Sequence, residues 1–255
     1  MLDSLYISAI GMQSQKTQLD AVANNMANAN TPGYKRERVD FVGLMNHQTA
    51  AAEATDAAGS ADRTGSLLRR DLSQGEVKTT GSALDLAING AGFIEVRLSD
   101  DRIGYMRGGS LRISPDGFLS TSAGQVLRAD IRVPSNASGL AIAADGTVTA
   151  RLGSDTEATE LGRIEVAAFS NPEALNYRGD GVYELAQDAT DAPVRGTPGT
   201  EGLGALASGK LEMSNVKLVD EMVSLMMAQR VYELNSRVAQ AADELMGMAN
   251  NLRRS

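Results

Sequence analysis

From Met213 to Leu252 apolar residues recur along one line of the chain: Val216, Val219, Val223, Met227, Val231, Leu234, Val238, Ala241, Leu245, Met248 and Leu252. Steps of three and four residues put them on a single stripe of an α-helix. Three consecutive steps of four between Val219 and Val231 come before a regular heptad alternation, which predicts locally relaxed winding in the first half. These 40 residues at ~1.5 Å each would make a rod of about 60 Å, and such a helix needs a partner along its whole length. No other segment constrains the fold as strongly.

A candidate partner lies at the other end. Between Asp3 and Asn30 apolar residues fall at Leu5, Ala9, Met12, Leu19, Ala23 and Met26, interrupted by Lys16. Asn30-Thr31-Pro32-Gly33 then ends the pattern, since proline cannot continue a helix and glycine tolerates positive φ. Leu5 and Met12 are expected to pack with Met227, Val231, Leu234, Val238 and Leu245 as the core of a helix pair.

The first helix carries an anomaly, LDAVANNMANANTPGYKR. Asparagine is a poor helix interior residue because its amide competes for nearby backbone groups. Asn24, Asn25, Asn28 and Asn30 therefore need partners outside their own helix, and neighbouring helices of other subunits are the expected source. Between Ser4 and Tyr34 the charged residues are Lys16 and Asp20, four apart and able to satisfy each other. The remaining outer face, with Gln13, Ser14, Gln15, Thr17 and Gln18, suits protein contact, because uncharged amides avoid the desolvation cost of ions. On their own the two end helices are expected to be frayed or disordered.

The middle has a different period. LDLAING, GFIEVRL, RIGYMR, LRISPDGFLST, IRVP, LAIAADGTVTA, GRIEVAAF and GVYELA are short β-type runs bounded by Gly, Pro, Asn and Asp. RISPDGFLST and AIAADGTVTA read as one device used twice, a strand, an Asp-Gly turn and a return strand. The expected fold class is α+β: long N- and C-terminal helices paired as a coiled coil, with an all-β domain inserted between them. The expected boundaries are 1–36 for the first helix, 37–83 for a connector, 84–194 for the β-domain, 195–209 for a Gly-rich return connector and 210–255 for the second helix. Within the connector, AAAEATDAAGSADRTG is small, polar and without periodicity, and is expected to be loop or extended chain.

Charge and chemistry narrow the function. A net charge of −8 argues against nucleic-acid binding, which needs clustered Lys and Arg. Residues 210–255 balance six basic against six acidic groups, so that end can pack against copies of itself without net repulsion. There is no apolar run long enough to span a membrane and no pattern of a cleavable signal at the start. Cysteine is absent, and His47 is the single histidine, so neither thiolate nor imidazole clusters exist for a metal centre or an activated nucleophile. No cofactor pattern is present, and neither catalysis nor a small-molecule substrate is expected.

Two long motifs carry a resemblance. SLYISAIGMQSQKTQLDAVANNMANANTPGYKR and GKLEMSNVKLVDEMVSLMMAQRVYELNSRV are similar to the opening and closing segments of bacterial flagellar axial proteins of the rod and hook family, and LDLAINGAGFIEVRL, GYMRGGSLRISPDGFLST and GTPGTEGLGALASG resemble its central region. Length and the AQRVYELNS stretch look most like the distal part of the rod, whereas the short, Ala-rich stretch 50–75 departs from it and leaves a proximal rod position open. The resemblance implies a structural subunit without enzymatic activity. Such a subunit is exported through the flagellar type III apparatus without a cleavable signal. It polymerises with itself and with other rod and hook proteins into a hollow, torque-transmitting tube across the periplasm, with a surrounding ring bushing as a further partner. Carried onto this chain, the assembly surface comprises Leu19, Asn24, Asn25, Met26, Asn28 and Asn30 with Ser214, Asn215, Val216, Gln229, Arg230, Tyr232, Glu233 and Asn235. A secreted adaptor or binding module with coiled-coil ends is the alternative from another class.

Overall fold

A computed structural model of the 255-residue chain describes residues 2–41, 66–100, 102–153, 157–186, 192–200 and 202–252. They form two compact units. The first gathers Met1–Ala29, Arg36–Asp71 and Val216–Ser255, and the second gathers Asn30–Lys35 and Leu72–Asn215.

The first unit holds both helices, α1 (Leu2–Ala27) and α2 (Leu218–Leu252). The end of α1 is set by the asparagines, where the Asn28 N–H is shared between the carbonyls of Asn24 and Asn25. Gly33 follows at φ +72, a conformation that side chains with a Cβ avoid. Two strands, β1 (Glu37–Phe41) and β2 (Ser66–Arg70), pair antiparallel with Glu37 opposite Arg70 and Phe41 opposite Ser66. Strand thus occupies both edges of a stretch expected to be connector. The Ala-rich run 50–65 and His47 lie outside the described residues.

The helices meet antiparallel, Asn25 lying opposite Glu221 and Gly11 opposite Asn235. They do not form the expected coiled coil. The α2 residues turned inward are small or polar: Glu221 and Ala228 are buried, and Asn235 lies so close to α1 that a Cβ added at Gly11 would stand 3.0 Å from its Nδ2. The apolar stripe points elsewhere, with Val219, Met227, Leu234 and Val238 each more than half exposed. The chain is therefore mainly β, with two flanking helices joined by a narrow polar and small-residue contact, and the α+β class built on a long helix-pair seam is corrected accordingly. Periodicity located the stripe; it could not say which face of the helix the chain would use for itself.

The second unit is a β-structure. Its strands are β3 (Val77–Thr79), β4 (Asp85–Asn89), β5 (Phe93–Arg97), β6 (Ile103–Met106), β7 (Gly108–Ile113), β8 (Leu119–Thr121), β9 (Val126–Leu127), β10 (Ala137–Ile142), β11 (Thr147–Leu152), β12 (Ala158–Arg163), β13 (Val166–Ala168), β14 (Leu175–Gly179), β15 (Val182–Leu185), β16 (Val194–Gly196), β17 (Ala205–Ser208) and β18 (Lys210–Glu212). The main sheet runs β14-β15-β6-β5-β9-β8-β7-β4-β17, with β13 on β5 and β16 on β13. β10-β11-β12 form a three-stranded sheet and β3 pairs with β18. Both Asp-Gly hairpins take the expected form. Ser114–Gly117 joins β7 to β8 and Ala143–Gly146 joins β10 to β11, each closed by a bond from the glycine N–H to the carbonyl three residues back, with Gly117 and Gly146 at φ +84 and +87. Leu86, Ile88, Ile94, Val96, Leu119, Leu127 and Val148 lie at the centre of the apolar core. A second cluster stacks Phe93, Tyr105, Phe169 and Tyr183, with ring centroids 4.8–6.1 Å apart in edge-on pairs. The Gly-rich return stretch 195–209 contributes β17 and most of β16 to this unit, and Gly204 lets the backbone pass Ile88, whose Cγ2 would lie 2.6 Å from an added Cβ.

Candidate functional site at the chain ends

The asparagine run gives the first polar cluster. Asn25 is 1% exposed, and its amide treats the backbone of Glu37 as a strand edge would. Nδ2 donates to the Glu37 carbonyl at 2.8 Å and Oδ1 accepts the Glu37 N–H at 2.8 Å. Only an amide offers a donor and an acceptor side by side in this way. Nδ2 also donates to Oε2 of Glu221 at 3.3 Å, and Oε1 of that carboxylate receives Nε of Arg36 at 2.5 Å. Around this centre Asn24 donates to the Glu37 carboxylate at 3.0 Å, Arg70 pairs with the same carboxylate, and Asn28 donates to the carbonyl and side-chain oxygen of Asn24, both at 2.9 Å. Glu221 is completely buried, so its charge depends on these donors.

A second cluster lies within the β-rich unit. Lys35, completely buried, pairs with Glu212 at 2.5 Å and donates to the Ser73 carbonyl at 2.6 Å. The same Glu212 oxygen accepts the Gly75 N–H at 2.9 Å, while the other faces Nε of Arg107 at 3.5 Å. Arg107 in turn donates to the Gly92 carbonyl at 2.9 Å and lies over the Phe93 ring. Backbone bonds close the same point: the Gly33 N–H donates to the Glu212 carbonyl and the Met213 N–H to the Glu76 carbonyl, both at 2.7 Å. The segment entering this unit and the segment leaving it are thus fastened together.

Both clusters tie residues near one end of the chain to residues near the other, and so do the comparisons with known proteins. The family model described as "Flagella basal body rod protein" matches residues 5–35, "Flagellar hook protein FlgE/F/G D1 domain" matches 87–150, and "Flagellar basal body rod FlgEFG protein C-terminal" matches 207–252. Full-length relatives named "Flagellar basal-body rod protein FlgG" are 35% identical in Borreliella burgdorferi, over 100% of both chains, and 36% identical in Agrobacterium fabrum, over 97% of this chain and 98% of the relative. The chain belongs to the flagellar basal-body rod protein family. A Bacillus subtilis relative of the same name is 33% identical over the whole of both chains.

For this rod-family chain the expected assembly residues separate into three groups. Asn25 and Ser214 are buried, and Asn25, Asn28, Asn215 and Asn235 lie against groups of the same chain. The Asn25 amide finds its partners outside α1 but within the same chain, in the backbone of β1 and the carboxylate of Glu221. Asn24, Asn30, Gln229, Arg230, Tyr232 and Glu233 are exposed. Leu19, Met26 and Val216 are half-buried. Of the expected helix-pair core, Met12 is half-buried, Met227, Val231, Leu234 and Val238 are exposed, and the side chains of Leu5 and Leu245 lie outside the described set. Sequence reasoning missed Arg36, Glu37, Glu221, Lys35, Arg107 and Glu212. A lysine and an arginine one residue beyond the Pro-Gly turn, and a lone glutamate in KLEMSNV, are ordinary surface charges until the two chain ends are brought together.

Proposed function

We propose that the chain is a non-enzymatic structural subunit of the basal-body rod, placed in its distal part, that polymerises with copies of itself into a hollow helical shaft. Membership of the rod-protein family supports the first part and full-length likeness to relatives of one name supports a common position. One observation carries the polymerisation: the outward stripe of α2, in which Val219, Met222, Val223, Met226, Met227, Leu234, Val238 and Met248 are all exposed. A contiguous apolar strip along a 35-residue helix marks a protein contact. Neighbouring copies offer the matching surface, and a head-to-tail contact that does not close on itself builds an open filament from one repeated interface. The methionines in the strip adapt to slightly inequivalent neighbours around a tube.

Stacked in this way, the end helices become fully ordered on assembly, and torque passes through many repeated contacts. Other rod and hook proteins continue the shaft, a ring bushing surrounds it in the periplasm, and subunits reach the growing tip through the type III export apparatus. The test is sedimentation with electron microscopy across a concentration series. Hollow filaments above a critical concentration, with a rise in helicity by circular dichroism, are expected. A closed small oligomer at every concentration sinks the reading.

A further inference from the structure

We propose that the buried cluster Asn25–Glu221–Arg36 sets the register of α2 against α1, so that register is fixed by polar groups while the apolar stripe stays free. The usefulness of a fixed register for stacking rests on the assembly reading above; the register itself does not.

The inward face of α2 is poorly specific by shape. Glu221, Ala228 and Asn235 present small or polar groups to α1, whose buried residues are Ala21, Val22 and Asn25 and whose Gly11 has Asn235 close against it. Small residues allow close packing and would fit nearly as well one turn away. The polar groups have no such freedom. Asn25 is held by both backbone groups of Glu37, so its remaining bond direction toward Glu221 is fixed in space. Arg36 immediately precedes Glu37 and reaches the other oxygen of the same carboxylate. Sliding α2 by one turn would carry Glu221 about 5.4 Å away and bring Lys217 or Leu218, or in the other direction Ser224 or Leu225, opposite Asn25, none of which offers a carboxylate to bridge Asn25 and Arg36. The displaced carboxylate and guanidinium would lose their mutual partner, the situation in which a buried polar residue specifies register.

The chain contains no cysteine, so single cysteines at exposed Lys16 and Arg237 can carry a pair of spin labels clear of the cluster. Distances are read on the ordered population, both in soluble chain and in pelleted material diluted with unlabelled chain. The wild type is expected to give one narrow distance. Replacing the ion pair with apolar residues, Glu221→Leu with Arg36→Met, is expected to add a second population shifted by about one helical turn, ~5.4 Å, while Glu221→Gln, which keeps an acceptor for Arg36, retains the single distance. If the apolar pair loses its helices, Asn25→Asp, which donates to neither Glu37 nor Glu221 when ionised and to only one of them when protonated, gives the same readout and is expected to split the distance. One unchanged distance in the apolar pair or in Asn25→Asp overturns the proposal, as does a wild type already split between registers. A single register in a chain that never assembles would leave this proposal standing and sink the assembly reading.

Discussion

Lys35 and Glu212 are each charged, almost wholly buried and mutually dependent. Removing one partner of such a pair leaves a buried charge uncompensated, whereas replacing both with apolar groups of similar size is often tolerated. Lys35→Met is therefore expected to destabilise the β-rich unit by about 3–5 kcal/mol, and Lys35→Met with Glu212→Leu to recover only part of that loss, because buried Arg107 and the Gly75 N–H lose Glu212 as well. Urea unfolding followed by near-ultraviolet circular dichroism of buried Tyr105 and Tyr183 measures both; equal losses in the single and double variants would contradict the account. Gly75 belongs to the same cluster for a steric reason, since a Cβ there would stand 2.0 Å from the Met213 carbonyl oxygen. Gly75→Ala should lower the melting temperature more than Gly81→Ala, although Gly81 holds a positive φ, because Gly81 has open space around it and Gly75 has backbone.

Among the elements, α2 behaves oppositely to what its pattern first suggests. Leu234→Ala would cost roughly 2–5 kcal/mol in a packed helix seam. At 59% exposure its cost to the isolated chain is expected to stay within about 0.5 kcal/mol. The same position should matter on assembly: Met227→Ser and Leu234→Ser are expected to raise the critical concentration several-fold while leaving the unfolding curve of the monomer unchanged. Light scattering and chemical denaturation on one preparation separate the two effects. The strands were legible because alternation and Asp-Gly turns are local signals, and β4, β5, β6, β7, β8, β10, β11 and β15 fall where the runs predict. IRVP is the exception, reduced to an isolated bridge between Arg132 and Phe118. β1 and β2 were not legible, because ERVDF and SLLRR, although Gly43 and Gly65 flank them, are short runs far apart in sequence that gain their meaning from pairing with each other and from Asn25. The unusual amides could be seen in sequence; that their partner would be a strand 12 residues on could not.

For the whole molecule, the division into units predicts which pieces fold. A fragment spanning residues 30–215 keeps Lys35, Glu212, β3 and β18 together and is expected to unfold cooperatively by itself. A fragment of residues 84–194, the span that strand patterning alone would choose, lacks both members of the ion pair and strands β3, β17 and β18. It is expected to show a broad transition, and a sharp one would show the end clasp to be dispensable. That clasp has an engineering consequence. Because the Gly33 N–H and the Glu212 carbonyl are 2.7 Å apart, the backbone departs and comes back through one doorway. A foreign module whose own termini nearly touch could replace the excursion beyond Glu76, which the Met213 N–H closes at 2.7 Å, provided that Arg36–Asp71, which belongs to the first unit, is left in place.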